Sequence, residues 1–312
     1  MKVNISILAV LALVILTPAV IAYEYNETLA IELVDAAGST YCPQEHQLAL
    51  TCGPSCDNMA KNGYRTLYAE KYDNHALSSE AFSIFYKPDT NHVIISFRGT
   101  AANFQMFEEF VRQHGVPYTL HGNEFEDIRI MEYIYTHYVS QLRNKLLVRI
   151  AKIKREFTTA SYIFTGHSLG GAYATLATYD FANNGLLDKT KIQCYSFGSP
   201  RVGNYEFAEA MKNTGVSNFR IVNSIDFAPH CPSCNKNLIT GECLTIDVLL
   251  TTWSPYHVDN EIYYEDFSME KGKYKICSDE SLDCSYGVPG LNLDVESHLW
   301  YFGKRIGCSG FQ

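Results

Sequence analysis

Apolar residues come in short blocks along this chain. "AFSIFY" (81–86), "HVIISF" (92–97), "SYIFTG" (161–166), "KIQCYSF" (191–197), "FRIVN" (219–223) and "EIYY" (261–264) are rich in β-branched and aromatic residues. Each predicts a strand. Segments of helical character lie between them: a long one from about Glu124 to Glu156, another over Leu169–Asn183, and "NYEFAEAMKNT" (204–214). Strands alternating with helices predict an α/β fold with a mostly parallel central sheet and helices on both faces. No repeat, low-complexity tract or linker interrupts the pattern, so a single domain is expected from residue 23 to residue 312.

The first 22 residues follow a different rule. Lys2 precedes an apolar run from Ile5 to Leu16, and Val20 and Ala22 occupy small-residue positions. This is the pattern of a secretory signal cut after Ala22. The run is too short, and broken by Pro18, for a membrane anchor. Secretion in turn changes how the ten cysteines are read, because an oxidising compartment favours disulfides. Cys52 with Cys56, Cys277 with Cys284, and Cys42 with Cys308 are the candidate pairs. His230, Cys231, Cys234 and Cys243 have the look of a zinc set, a reading secretion disfavours, so no metal is expected. Cys194 sits in an apolar run and is expected as a buried thiol. One of Cys231, Cys234 and Cys243 is then left without a partner. Asn26-Glu27-Thr28 is a glycosylation sequon.

Charge narrows the partners. The chain is 46% hydrophobic and 19% charged, with a formal charge of −9. A nucleic-acid partner would need a basic face, and none is expected.

Candidate chemistry centres on "FTGHSLGGAYA". Ser168 stands in a G-x-S-x-G pentapeptide between a strand and a helix of small residues, a turn that lifts a hydroxyl clear of a sheet. A serine hydroxyl needs a histidine to take its proton and a carboxylate to orient that histidine. In such a sheet the acid and then the base follow the serine in chain order. Asp226 lies just past the strand "FRIVN", at the end where α/β sheets carry their sites. His230, His257 and His298 all follow it, and composition does not choose between His257 and His298.

Several motifs, in order from about Cys42 to Cys308, resemble the class 3 lipase family of fungal-type triacylglycerol lipases. These are "VIISFRGT", "FTGHSLGGAYA", "SFGSPRVGN", "NSIDFAPHCP", "HVDNEIYY" and "SHLWYFG". Ala228, Asp259 and Ser297 depart from the usual Val, Gly and Asp. His121 and Gly122 are kept, but the Phe that should follow is displaced to position 125. The resemblance implies an α/β-hydrolase fold with Ser168 as nucleophile, Asp226 as acid and His298 as base. His257 then becomes structural. It also implies an oxyanion hole from Leu169 and Thr100, and no cofactor.

The expected function is hydrolysis of carboxylic esters of glycerolipids at an oil–water or membrane interface, by a secreted monomer or one held in a lytic lumen. A triacylglycerol lipase is the leading reading. A phospholipase A1 or a feruloyl-type esterase would use the same triad, and a non-catalytic lipid-binding or storage protein is the remote alternative. After Thr100, Asn103 is positioned to cap a short helix. Phe104, Phe107, Phe110 and Val111, with Met106, would form its apolar stripe, and this segment is the expected lid.

Overall fold

The computed structural model describes residues 23–70, 80–100, 114–120, 127–235, 237, 239–240, 243 and 253–308. The leader (1–22), the expected lid residues Phe104, Phe107, Phe110 and Val111, and His121, Gly122 and Phe125 lie outside the described residues. Eight strands form the main sheet: β1 (Arg65–Ala69), β2 (Phe82–Lys87), β3 (His92–Phe97), β4 (Ser161–His167), β5 (Ile192–Phe197), β6 (Ser217–Asn223), β7 (Glu261–Tyr264) and β8 (Lys275–Cys277). Their order in space is their order in the chain. β3 to β7 run parallel, and antiparallel strands close both edges. This is the architecture the alternation of strands and helices predicts. A smaller sheet joins Pro255–Tyr256, Gly203–Asn204, Arg129–Met131 and Gly115–Pro117.

The strands bury both faces, as parallel strands covered by helices must. Along β3, Val93, Ile95 and Phe97 face one cluster and Ile94 the other. The first cluster packs against the helix Leu169–Asn183 and the segment from Glu132 to Glu156. The second packs against the helix Glu27–Ser39. Asn26 caps that first helix by accepting from Leu29 N–H at 3.0 Å. The helix Leu169–Asn183 is buried on every side from Leu169 to Ala182. Its alanines and glycines let it lie between the sheet and a second layer of helix.

The long helix starts later than its periodicity predicts. Residues Arg129–Met131 form a strand, with Gly115 opposite Met131 and Ile130 opposite Gly203. Helix then runs from Glu132, passes through a π-helical stretch at Tyr138–Arg143, and ends at Glu156. Wider turns of this kind re-aim side chains. Here Tyr138 donates to buried Asp180 at 2.7 Å, and Arg143 pairs with the same carboxylate at 2.7 and 3.1 Å.

Candidate active site

The parallel strands β4, β5 and β6 end on one side of the sheet, and the site is assembled there. β4 stops at His167 and a helix begins at Leu169. Ser168, between them, has φ +60° and ψ −131°. A non-glycine residue in such a conformation costs about 1–3 kcal/mol and is kept only where its surroundings over-determine it. Those surroundings are tight. A Cβ on Gly166 would overlap the carbonyl of Gly170, and a Cβ on Gly170 would overlap that of Phe97. The turn is held by Ser168 N–H donating to Phe197 O and Gly171 N–H donating to Ser168 O, both at 2.9 Å. Leu169 opens the helix, so its N–H is among those the helix cannot satisfy internally.

Asp226 lies just beyond β6 and is wholly buried. Both of its oxygens are 3.0 Å from His298 Nδ1. Tyr301 Oη–H donates to Oδ2 at 2.6 Å, and Ala228 N–H to Oδ1 at 2.8 Å. Burial alone would raise this carboxyl. The His298 ring, its hydrogen bond, Tyr301 and the Ala228 N–H outweigh it and hold the pKa below the usual aspartate value. His298 is itself buried, between the rings of His167 (centroids 4.4 Å apart) and Phe227 (5.0 Å).

Two glycine-bearing loops pack against this group. Gly198, just past β5, has φ +56°, and a Cβ there would stand 2.5 Å from Asp226 Oδ2 and 2.9 Å from His298 Nδ1. Gly99, just past β3, is so close to the elbow that an added Cβ would lie 2.5 Å from His167 O and 3.3 Å from Ser168 Cβ. Its neighbour Thr100 is partly exposed, yet its Oγ1 is buried and has no hydrogen-bond partner among the described residues. The structure therefore brings the "FRGT" loop against Ser168, and Asp226 against His298.

His257 goes elsewhere. It is buried, with Nε2 2.6 Å from Pro229 O and its backbone N–H donating to Glu280 at 2.9 Å. Burial first, then Arg220, keep it well below the ordinary imidazole value, against the opposing pull of Glu280. It belongs to a buried frame beneath the Asp226 loop. Arg201 forks onto Glu280 at 2.7 and 2.8 Å and donates to Pro232 O at 2.9 Å. Burial alone would raise the Glu280 carboxyl, but Arg201, His257 and Arg220 bring it down to about 2. His230 sits in the turn Ala228–His230 on the same loop.

The three cysteine pairs read from the sequence, Cys42–Cys308, Cys52–Cys56 and Cys277–Cys284, are all present. A fourth bridge joins Cys234 to Cys243, so Cys231 is the odd thiol, alongside buried Cys194. Asn26 is exposed. Sequence reasoning missed Tyr301 as a partner of the acid, and it missed His167 and Tyr41. For Tyr301 there was a signal, an aromatic three residues past His298. Tyr41 lies 126 residues from the histidine it touches, and no local pattern links them.

Comparison with known proteins places these features. The family model described as Lipase (class 3) matches residues 94–236, the stretch from β3 through the elbow to the Asp226 loop. Lipase ZK262.3 of Caenorhabditis elegans is 34% identical over 156 residues, 46% of this chain and 44% of that protein. Phospholipase A1-IIdelta of Arabidopsis thaliana is 38% identical over 94 residues, 29% of this chain and 23% of that protein. The chain thus spans less than half the length of these relatives. Among solved structures, lipase II from Rhizopus niveus superposes with a TM-score of 0.72 at 21% identity, covering 90% of this chain and 96% of that one. The fold is accordingly that of the α/β-hydrolases.

Proposed function

We propose, on the class 3 lipase match over residues 94–236, that the chain carries a lipase core and hydrolyses carboxylic esters of glycerolipids, with triacylglycerol as the leading substrate. The observation that carries this reading is the Asp226–His298 pair, at 3.0 Å, beside a strained serine held at a strand-to-helix turn. Ser168 attacks the ester carbonyl while His298 takes its proton through Nε2. Asp226 holds Nδ1 and balances the charge of the imidazolium. The Leu169 N–H and the Thr100 backbone and hydroxyl receive the oxyanion. The buried Thr100 Oγ1, without a hydrogen-bond partner among the described residues, supports that assignment. His298 then protonates the departing alcohol, and water releases the fatty acid by the same route in reverse.

A second reading, phospholipase A1, is favoured by the similarity to the Arabidopsis protein of that name. Hydrolysis of long-chain triglyceride, phosphatidylcholine and a feruloyl ester, measured side by side, separates the possibilities. A triglyceride rate well above the other two is expected, and a dominant phospholipid rate would replace the substrate. The segment after Thr100 is proposed as a lid that opens on lipid. Each buried Phe is worth roughly 2 kcal/mol, enough for two or three to bias a two-state lid. A rate jump when triglyceride passes its solubility limit, weakened by Phe107→Ser, supports it. A smooth hyperbola unchanged in that variant removes it. Four disulfides among the described residues and the signal-like leader support an extracellular or lumenal location; action as a monomer at the lipid surface is part of the same proposal.

A further inference from the structure

The loop that carries His298 has no long element to hold it. It enters from Asp294, runs through the short helix Glu296–Leu299 and leaves along Trp300–Tyr301. Buried side chains fix it instead, through its backbone carbonyls. Asn223 Nδ2 donates to Ser297 O at 3.3 Å and to Trp300 O at 2.6 Å. Between these two contacts, the carbonyl of His298 itself is met by His167 Nε2 at 2.8 Å. His298 N–H donates to Val295 O at 3.0 Å. Both ends of the His298 residue are therefore pinned, one of them by the residue immediately before Ser168.

The geometry also sets the His167 tautomer. A carbonyl accepts only, so Nε2 carries the proton. Nδ1 then presents a lone pair, and Tyr41 Oη–H, 2.9 Å away, donates to it. Tyr41 is in turn next to Cys42, whose bridge to Cys308 joins segments 266 residues apart. Gly99 packs against the same hydroxyl and against His167 O, so the oxyanion loop touches the contact as well. The His167 ring is buried and stacks on the His298 ring at an interplanar angle of 36°. An apolar side chain of similar size, such as leucine, would fill this space. It would leave the His298 carbonyl without its donor.

We propose that His167 is a positioning residue for His298: its Nε2–H fixes the base through the backbone carbonyl, and Tyr41 fixes the tautomer that makes this possible. The inference rests on the hydrolase reading above. Its physical content is that the nucleophile and the base are registered to each other by a direct hydrogen bond from the side chain next to Ser168 to the backbone carbonyl of His298, independent of substrate. A misplacement of the base by about 1 Å costs on the order of 10²-fold in rate, and it acts on kcat because ground-state binding is elsewhere.

The test uses the full mature chain and p-nitrophenyl butyrate below its solubility limit, so that no interface contributes. His167→Leu is expected to lower kcat by about 10²-fold with KM changed by less than about twofold. His167→Gln places an amide N–H where Nε2 was and should stay within about fivefold of the wild type, whereas His167→Asn, one methylene shorter, should resemble His167→Leu. Tyr41→Phe should fall between, at about five- to tenfold. If His167→Leu does not fold, the Gln and Asn pair decides alone, because both are amides. Equal kcat for Gln and Asn, or a wild-type kcat for His167→Leu, overturns the proposal. Loss expressed only in KM overturns it too. A wild-type chain without activity on any ester would instead refute the hydrolase reading itself.

Discussion

Acidification should weaken the fold in part through the His167 ring, and His167→Gln isolates that part. Burial, reinforced by the neighbouring His298 ring, holds the His167 pKa down at about 3. In the unfolded chain an imidazole titrates near 6.5. Between those values the unfolded chain binds a proton that the folded chain refuses. The contribution is therefore intact above about pH 6.5 and lost as pH falls toward 3. Each pH unit is worth about 1.4 kcal/mol, so moving from pH 7.5 to 4.5 removes about 2.7 kcal/mol. Glutamine keeps the donor to His298 O and does not titrate. Whatever the variant costs at pH 7.5, its stability relative to wild type should improve by about 2.7 kcal/mol at pH 4.5, because the other titrating groups are common to both chains. Urea unfolding of both proteins, followed by far-UV circular dichroism with disulfides intact, gives that difference directly. Curves offset by a constant amount across the range would mean that the folded chain protonates His167 freely, and the buried donor role would fall with it.

Other perturbations probe the frame around the site. Gly198→Ala puts a methyl 2.5 Å from Asp226 Oδ2 at a φ of +56°, and kcat on a soluble ester should fall by about 10²-fold. Tyr301→Phe removes the 2.6 Å donor to Asp226 and should lower kcat about tenfold with the melting temperature little changed. Glu280→Gln leaves the Arg201 guanidinium buried without its counter-charge and should cost about 3–5 kcal/mol in urea unfolding. Cys308→Ser opens a bridge spanning 266 residues of separation and should cost about 5 kcal/mol by chain entropy.

The sequence showed its organisation where burial is complete on both faces. "HVIISF" and "EIYY" became strands with the same bounds, and Leu169–Asn183 became a helix with the same bounds. Edge strands were silent. Arg65–Ala69 and Lys275–Cys277 are partly exposed and carry polar residues, so their alternation never stands out. The overlong helix failed for a different reason. Arg129–Met131 is drawn into strand pairing by Gly115–Pro117 and Gly203, partners that local periodicity does not see. For the candidate site, the turn at Ser168 was legible from its glycines: the overlap at Gly166 is with nearby Gly170, although the one at Gly170 is with the distant Phe97 carbonyl. The choice of His298 over His257 was not. It came from resemblance; in the structure His298 pairs with Asp226 while His257 turns to Pro229 and Glu280, and the proposal rests on that geometry. Contacts such as Tyr41 to His167 depend on the whole fold and leave no trace in spacing.

The central claim is that Ser168 is a nucleophile activated by His298. It is tested most directly with a p-nitrophenyl alkylphosphonate, which phosphonylates an activated serine and releases a coloured phenolate. The account predicts one adduct per chain, mapped by mass spectrometry to Ser168. Labelling should be lost in Ser168→Ala, slowed by at least about 10³-fold in His298→Ala, and unimpaired in folded His257→Ala. An adduct on another residue, or labelling that survives His298→Ala and vanishes in folded His257→Ala, would contradict it.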